Sequence, residues 1–143
     1  MSLRTEHLSR CIQTLETSVT LLRQAPPDSI DYEIYRNAAV KGFELSLETA
    51  GKLLRKAIKS YLGSPRAGDE LTFKDVLRRA AKHGLMDASA VERWFAYRDN
   101  RNSTAHDYGV GFAEETLTLL PDFIVDARRI EQTLREKFGH ADP

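Results

Sequence analysis

The chain has 143 residues, of which 41% are hydrophobic and 29% are charged. Its 21 basic residues balance 21 acidic ones, so it lacks the basic excess typical of proteins that hold nucleic acid mainly through phosphates. A single cysteine, Cys11, excludes an intrachain disulfide and a cysteine-based zinc cluster. These features predict one cytoplasmic domain over residues 1–143, with no apolar run long enough to cross a membrane.

The first half of the chain shows helical periodicity. Apolar residues recur at helical spacing from Leu8 to Leu22, and the paired prolines of segment 24–28 end that helix. Asp28 or Ser29 offers an N-cap for a second, long helix that runs to about Leu62. The glycine- and proline-rich stretch near 63–71 is predicted to be a loop, and it is the best candidate for a mobile one.

The second half predicts three more helices. Thr72 is a candidate cap for the third, and Gly84 stands where a left-handed C-cap belongs. The fourth starts near residues 87–89, and the last follows Gly111, with Pro121 inside its pattern predicting a kink or a break. Because no segment alternates with period two, the sequence predicts an all-α protein, an antiparallel up-and-down bundle of four or five helices.

The fourth helix carries an unusual stripe. Trp94, Arg98, Arg101 and Ala105 occupy positions i, i+4, i+7 and i+11, so two arginines prolong a stripe that an aromatic residue begins. Polar groups on a core-facing stripe are unfavourable unless they are paired or a cleft opens beside them. His106 follows where this helix is predicted to end.

The segment Arg101-Asn-Ser-Thr-Ala-His106-Asp-Tyr108 fits an Arg-x4-His-x-Tyr pattern. It resembles the HEPN toxins encoded beside a minimal nucleotidyltransferase, a family also described as nucleotidyltransferase substrate-binding proteins. The resemblance covers most of the chain, since 43–62 looks like the long second helix of that family and 75–85 like its third. Ser103 departs from the pattern, because relatives commonly carry an aliphatic residue there.

The resemblance implies a HEPN-like fold and a metal-independent endoribonuclease without a cofactor. It also implies a homodimer in which two motifs face one cleft, and neutralisation by a cognate nucleotidyltransferase antitoxin. On this interpretation Arg101 and His106 are catalytic and Asn102 supports them. An imidazole, with a pKa ordinarily near ~6.5, exchanges protons at neutral pH, while a guanidinium stabilises the charged phosphorane formed when RNA is cleaved.

The resemblance gives Tyr108 a separate role. In the family this tyrosine can accept a nucleotide from the partner, which switches the toxin off. An added AMP would place negative charge and bulk beside the cleft. Taken alone, a tyrosine at this position is more often a packing residue at a helix end.

Other interpretations remain open from the residues alone. Arg101 and His106 could simply satisfy carbonyls at the end of a helix, where basic side chains are favourable. The chain could be a non-catalytic substrate-binding subunit of a nucleotidyltransferase, or a purely structural helical adaptor. Arg98 is predicted to pair with a carboxylate of the second helix, and Trp94 to lie in the core or at a dimer interface.

Overall fold

The computed structural model describes residues 2–104 and 110–139. Over these two ranges the chain is all-α, as the sequence predicts, with six helices and no strand. The helices are α1 (Glu6–Gln24), α2 (Ile30–Lys59), α3 (Pro65–Asp69), α4 (Phe73–Lys82), α5 (Ala88–Thr104) and α6 (Val110–Phe138). None of the helices in these ranges combines the length and apolarity needed to span a membrane.

Local side-chain chemistry sets several helix ends where the sequence predicts them. The Ser29 hydroxyl accepts a hydrogen bond from the backbone N–H of Tyr32 at 3.0 Å and so caps α2. Thr72 and Asp75 form a reciprocal capping box at the start of α4, and these contacts with Thr72 lower the pKa of the Asp75 carboxyl. Gly84, with φ of 75°, adopts the left-handed conformation after α4.

The glycine- and proline-rich stretch 63–71 contains the short helix α3 rather than loop alone. Ser64 caps this helix by accepting a hydrogen bond from the N–H of Ala67 at 3.3 Å. Pro65 occupies the first helical turn, where its missing N–H has no intrahelical partner to lose. The proline therefore helps to start a helix here.

Of the kink or break predicted at Pro121, the break is wrong, because α6 runs without interruption from Val110 to Phe138. A proline inside a helix removes one N–H donor, here the one that would bond the carbonyl of Leu117. Pro121 is exposed, so water can solvate that carbonyl. Its neighbours Leu120 and Phe123 are buried and anchor both sides of the proline to the core.

Helices α1, α2 and α6 form the centre of the bundle. The short connection 25–29 makes α1 and α2 antiparallel neighbours. Helix α6 returns along α1, since the N–H of Leu3 donates to the carbonyl of Phe138 at 2.8 Å and Arg128 pairs with Glu16. The start of the first helix and the end of the last one therefore lie together.

A cluster of four aromatic rings fixes α5 on this centre. Phe43 from α2, Phe123 from α6, and Trp94 and Tyr97 from α5 are each at most 2% exposed. Their rings meet edge to face, with centroids 4.8 to 5.6 Å apart. Trp94 is thus a core residue, which is one of its two predicted roles.

Candidate functional site

The first half of α5 is locked to α6 through one buried carboxylate. Asp126, only 3% exposed, accepts two hydrogen bonds from the Arg93 guanidinium, at 2.8 and 2.9 Å. The Tyr97 hydroxyl donates a third at 2.6 Å. Burial, followed by the bond to Asp126, raises the pKa of Tyr97, and the same carboxylate raises the pKa of Arg93. A fully satisfied buried network of this kind holds the helix in one orientation.

A second polar contact fixes the later part of α5. The hydroxyl of Thr116, which is fully buried in α6, donates to the Asn100 side-chain oxygen at 3.0 Å. Since Asn100 is directed to α6, residues 98, 101 and 102 lie on other faces of the helix. Those three residues border an open cleft.

This cleft has a volume of about 390 Å³ and lies between α2, the segment entering α4, and the end of α5. Volumes of this order are typical of small-ligand sites. The lining side chains are mixed in charge and polarity: Glu44, Leu47, Glu48, Gly51, Lys52, Arg55, Leu71, Thr72, Phe73, Arg98, Arg101 and Asn102.

An aromatic ring supports one arginine of the cleft. The Arg98 guanidinium carbon lies 4.9 Å from the centroid of the Phe73 ring, within the range of a cation–π contact. Phe73 reaches this position because α2 carries Gly51 opposite it. A Cβ at Gly51 would come within 2.7 Å of Phe73 Cε2, so any larger residue would displace the ring.

The rim of the cleft is fastened by another arginine. Arg55 Nη1 donates to the carbonyls of Gly68 and Leu71, at 2.7 and 2.8 Å. Lys59 of α2 pairs with Asp69 of the short helix α3. The chain after α3 is therefore held against α2, which sets where α4 begins and where Phe73 lies.

The carboxylates of the cleft have lysine partners on their own helix. Glu44 lies 3.9 Å from Lys41, and Glu48 lies 3.4 Å from Lys52. No ion pair within the described residues joins Arg98 to a carboxylate of α2. The predicted carboxylate partner of Arg98 is thus replaced by the ring of Phe73.

The structure places two of the four residues singled out by the motif. Arg101 is partly exposed, Asn102 is exposed, and both line the cleft at the end of α5. His106 and Tyr108 lie outside the described residues. Over the described ranges, no group of three or more His, Cys, Asp or Glu side chains has an arrangement that could hold a metal ion.

Sequence reasoning missed the supports of this site. Asp126 looks like any other acidic residue of an amphipathic helix, and only the docking of α5 on α6 makes it a buried acceptor. Phe73 looks like an ordinary core-facing apolar residue of α4, whereas it is half-buried in the cleft wall. Gly51 did carry a signal, because a glycine inside a strong helix pattern often marks a close approach.

Comparisons with known proteins give the class of this chain. The family model described as "Nucleotidyltransferase substrate binding protein like" matches residues 3–136. The chain therefore belongs to this family. The match spans the cleft, both arginines and the whole Arg-x4-His-x-Tyr segment.

Two individual proteins are similar to this chain. "Probable ribonuclease HepT" from Haemophilus influenzae is 28% identical over 99 residues, which are 69% of this chain and 66% of that protein. A solved structure from the same organism, described as the fold of a substrate binding domain of a nucleotidyltransferase, is 25% identical with a TM-score of 0.80. That alignment covers 92% of this chain and 99% of the solved one, which agrees with the all-α bundle described above.

Proposed function

We propose that this chain is a metal-independent endoribonuclease toxin that a cognate nucleotidyltransferase neutralises. The observation that carries the proposal is the position of Arg101, which lies in the last turn of α5 and lines the wall of an open cleft. The name of the Haemophilus influenzae relative, a ribonuclease, supports the same activity.

The chemistry uses the RNA's own 2′-hydroxyl as the nucleophile. His106 acts as the general base that removes the 2′ proton, and the oxygen attacks the adjacent phosphorus. Arg101 donates hydrogen bonds to the phosphorane oxygens as negative charge develops on them. The 5′-oxygen leaves with a proton, giving a 2′,3′-cyclic phosphate and a 5′-hydroxyl, and Asn102 orients the strand.

We further propose that the active form is a homodimer in which two such motifs face one cleft. In that arrangement one histidine can accept a proton while the other donates one, as both steps of the reaction require. Light scattering at micromolar concentration should give twice the chain mass. A monomer that cleaves RNA at this concentration would refute the shared cleft.

Growth of a bacterial host tests the ribonuclease proposal. Expression of the chain alone should arrest growth, Arg101→Ala and His106→Ala should each relieve the arrest, and coexpression of the partner should do so as well. Arg10→Ala is the matched control, because Arg10 is an exposed arginine of α1 whose side chain bonds Gln13 outside the cleft. Arrest by the Arg101→Ala chain at equal expression would contradict the proposal.

A second candidate is a non-catalytic subunit that presents a substrate to a nucleotidyltransferase. The descriptions of the family and of the solved relative favour it. Under this alternative the cleft binds the substrate, wild-type expression is harmless, and purified protein leaves RNA intact. Nucleotide transfer by the partner would then require this chain.

Tyr108 is our proposed site of inactivation. Its phenolic oxygen would attack the α-phosphorus of ATP held by the partner, forming a tyrosyl–AMP bond and releasing pyrophosphate. Coexpression should add one adenylate to the intact mass of the wild type and none to Tyr108→Phe. An adenylate that persists in the phenylalanine variant would assign the modification to another residue.

A further inference from the structure

We propose that the cleft between α2 and α5 is a nucleobase subsite that selects guanine beside the scissile phosphate. The inference rests on the proposed ribonuclease function for its biological meaning, while the binding it describes is measurable without cleavage. It assigns Glu44 as the residue that reads the base edge and Arg98 as the residue on which the base stacks.

The cleft offers both hydrogen-bond donors and acceptors. Arg98 and Arg101 present guanidinium donors from α5, and Glu44 and Glu48 present carboxylate acceptors from α2. Glu44 is the better placed of the two carboxylates, because its side chain is 23% exposed against 57% for Glu48. Its ion pair with Lys41, at 3.9 Å, lies at the limit of such contacts and leaves it available to a ligand.

This mixture fits a base better than a phosphate. A phosphate carries only acceptors and is repelled by carboxylates, so a dedicated phosphate site would not line its wall with two glutamates. A nucleobase carries donors and acceptors on one edge and two flat apolar faces. Leu47, the bare backbone at Gly51 and the ring of Phe73 provide apolar surface for those faces.

Arg98 is prepared for stacking. Its guanidinium lies on Phe73, and no ion pair within the described residues restrains it there. Guanidinium planes and aromatic rings are the surfaces on which proteins stack unpaired RNA bases. Phe73 and Arg98 together thus offer a flat surface on which a base can stack, and this surface lies next to Arg101.

Among the bases, guanine best matches the hydrogen-bonding groups on the α2 and α5 walls of the cleft. Its N1–H and exocyclic amine donate side by side, which suits a carboxylate such as Glu44, and its O6 and N7 accept, which suits an arginine. Uracil lacks an amine. Adenine lacks the O6 acceptor, and hypoxanthine lacks only the exocyclic amine, so inosine monophosphate is the sharpest comparison for the carboxylate contact.

The test is an NMR titration of the full ¹⁵N-labelled chain with guanosine, inosine and adenosine monophosphates. The guanine nucleotide should shift the amides of Gly51 and Arg98 and bind roughly tenfold more tightly than the inosine nucleotide. Glu44→Gln should bring the two affinities together. Arg98→Ala should weaken both, since both bases stack on its guanidinium.

Glu33→Gln is the matched control for the glutamate. Glu33 also lies on α2 and pairs with a basic residue one turn away, Arg36 at 3.8 Å, yet it is outside the cleft. This variant should keep the full preference for guanine. Equal affinity of the wild type for the guanine and inosine nucleotides, shifts confined to other surfaces, or no binding at millimolar nucleotide would each overturn the proposal.

The two proposals fail separately. A chain that prefers the guanine nucleotide but cuts no RNA keeps the subsite and loses the ribonuclease function. A chain that cuts RNA at every base, and binds the guanine and inosine nucleotides alike, keeps the ribonuclease function and loses the subsite.

Discussion

The two halves of helix α5 are built from similar residues and used in opposite ways. In the first half, Trp94 and Tyr97 are buried, and Arg93 pairs with the buried carboxylate of Asp126. In the second half, Arg98 and Arg101 border an open cleft. The polar groups of the first half fix the helix on α6, whereas the two arginines of the second half line the cleft.

The difference shows how a small bundle positions the side chains that line its cleft. The aromatic cluster and the Asp126 network set the position and rotation of α5. Because the helix is continuous, they also set the orientation of its last turns. A functional group is positioned well only when the elements that carry it are fixed. Changes in the first half should therefore affect stability, and changes in the second half should affect binding and activity.

The largest stability effect is expected at the core of the first half. Trp94→Ala should lower the free energy of unfolding by about 3–5 kcal/mol, because it leaves a large cavity among packed rings. Arg98→Ala, one turn further on, should change it by less than about 1 kcal/mol. Urea denaturation followed by circular dichroism measures both, and similar losses for the two variants would remove the distinction between the halves.

The Asp126 network should give the next effect. Asp126→Ala leaves the Tyr97 hydroxyl buried without its acceptor and removes the partner of Arg93, so we expect a loss of about 2–3 kcal/mol. The partial exposure of Arg93 limits the loss. Asp122→Ala, an exposed acidic residue in the previous turn of α6, is the control and should be nearly neutral. A neutral Asp126→Ala would mean that the network does not hold α5.

The sequence alone predicts some of these features, whereas others depend on how the helices pack against each other. Caps such as Ser29 and Thr72 are readable because their partners lie three residues away. The use of Asp126 as an anchor depends on which face of α6 meets α5, and no local pattern encodes that. The unbroken helix at Pro121 has the same origin, because packing on both sides of the proline outweighs one lost hydrogen bond.

The site follows the same division. The motif indicated Arg101 and Asn102 as functional, and the structure brings them to one cleft. The glutamates of α2 and the ring of Phe73 come from segments tens of residues away in the sequence. Their proximity to Arg98 therefore depends on the tertiary fold. Spacing along one helix predicts neighbours on that helix only.

Tyr97 makes the stability contributed by the first half of α5 dependent on pH. Its pKa is raised in the folded protein, so its contribution to stability is complete below the unfolded value of about 10 and is lost as pH rises toward the folded value. Tyr97→Phe should cost about 1 kcal/mol at pH 8. The difference between wild type and variant should shrink by roughly 1 kcal/mol by pH 11, and a constant difference would contradict the buried hydrogen bond.

The smallest stability effect is expected at Gly51. Gly51→Ala gains helix propensity of about 1 kcal/mol but pushes the Phe73 ring aside, so the net change in unfolding free energy should be within about 1 kcal/mol. Nucleotide binding in the cleft should fall severalfold, because Arg98 loses its support. Gly63→Ala has open space for its Cβ and should leave binding unchanged. Equal nucleotide affinities of the Gly51 and Gly63 variants would show that the position of Phe73 does not affect binding in the cleft.

RNA cleavage by the purified protein in excess EDTA tests most directly whether the end of α5 is a catalytic site. Wild type and Arg10→Ala should cut a labelled single-stranded RNA and leave 2′,3′-cyclic phosphate ends. Arg101→Ala, folded and equally stable, should be slower by about 100-fold or more. Cleavage by Arg101→Ala at the wild-type rate, or wild-type activity that appears only when magnesium is added, would contradict the proposed mechanism.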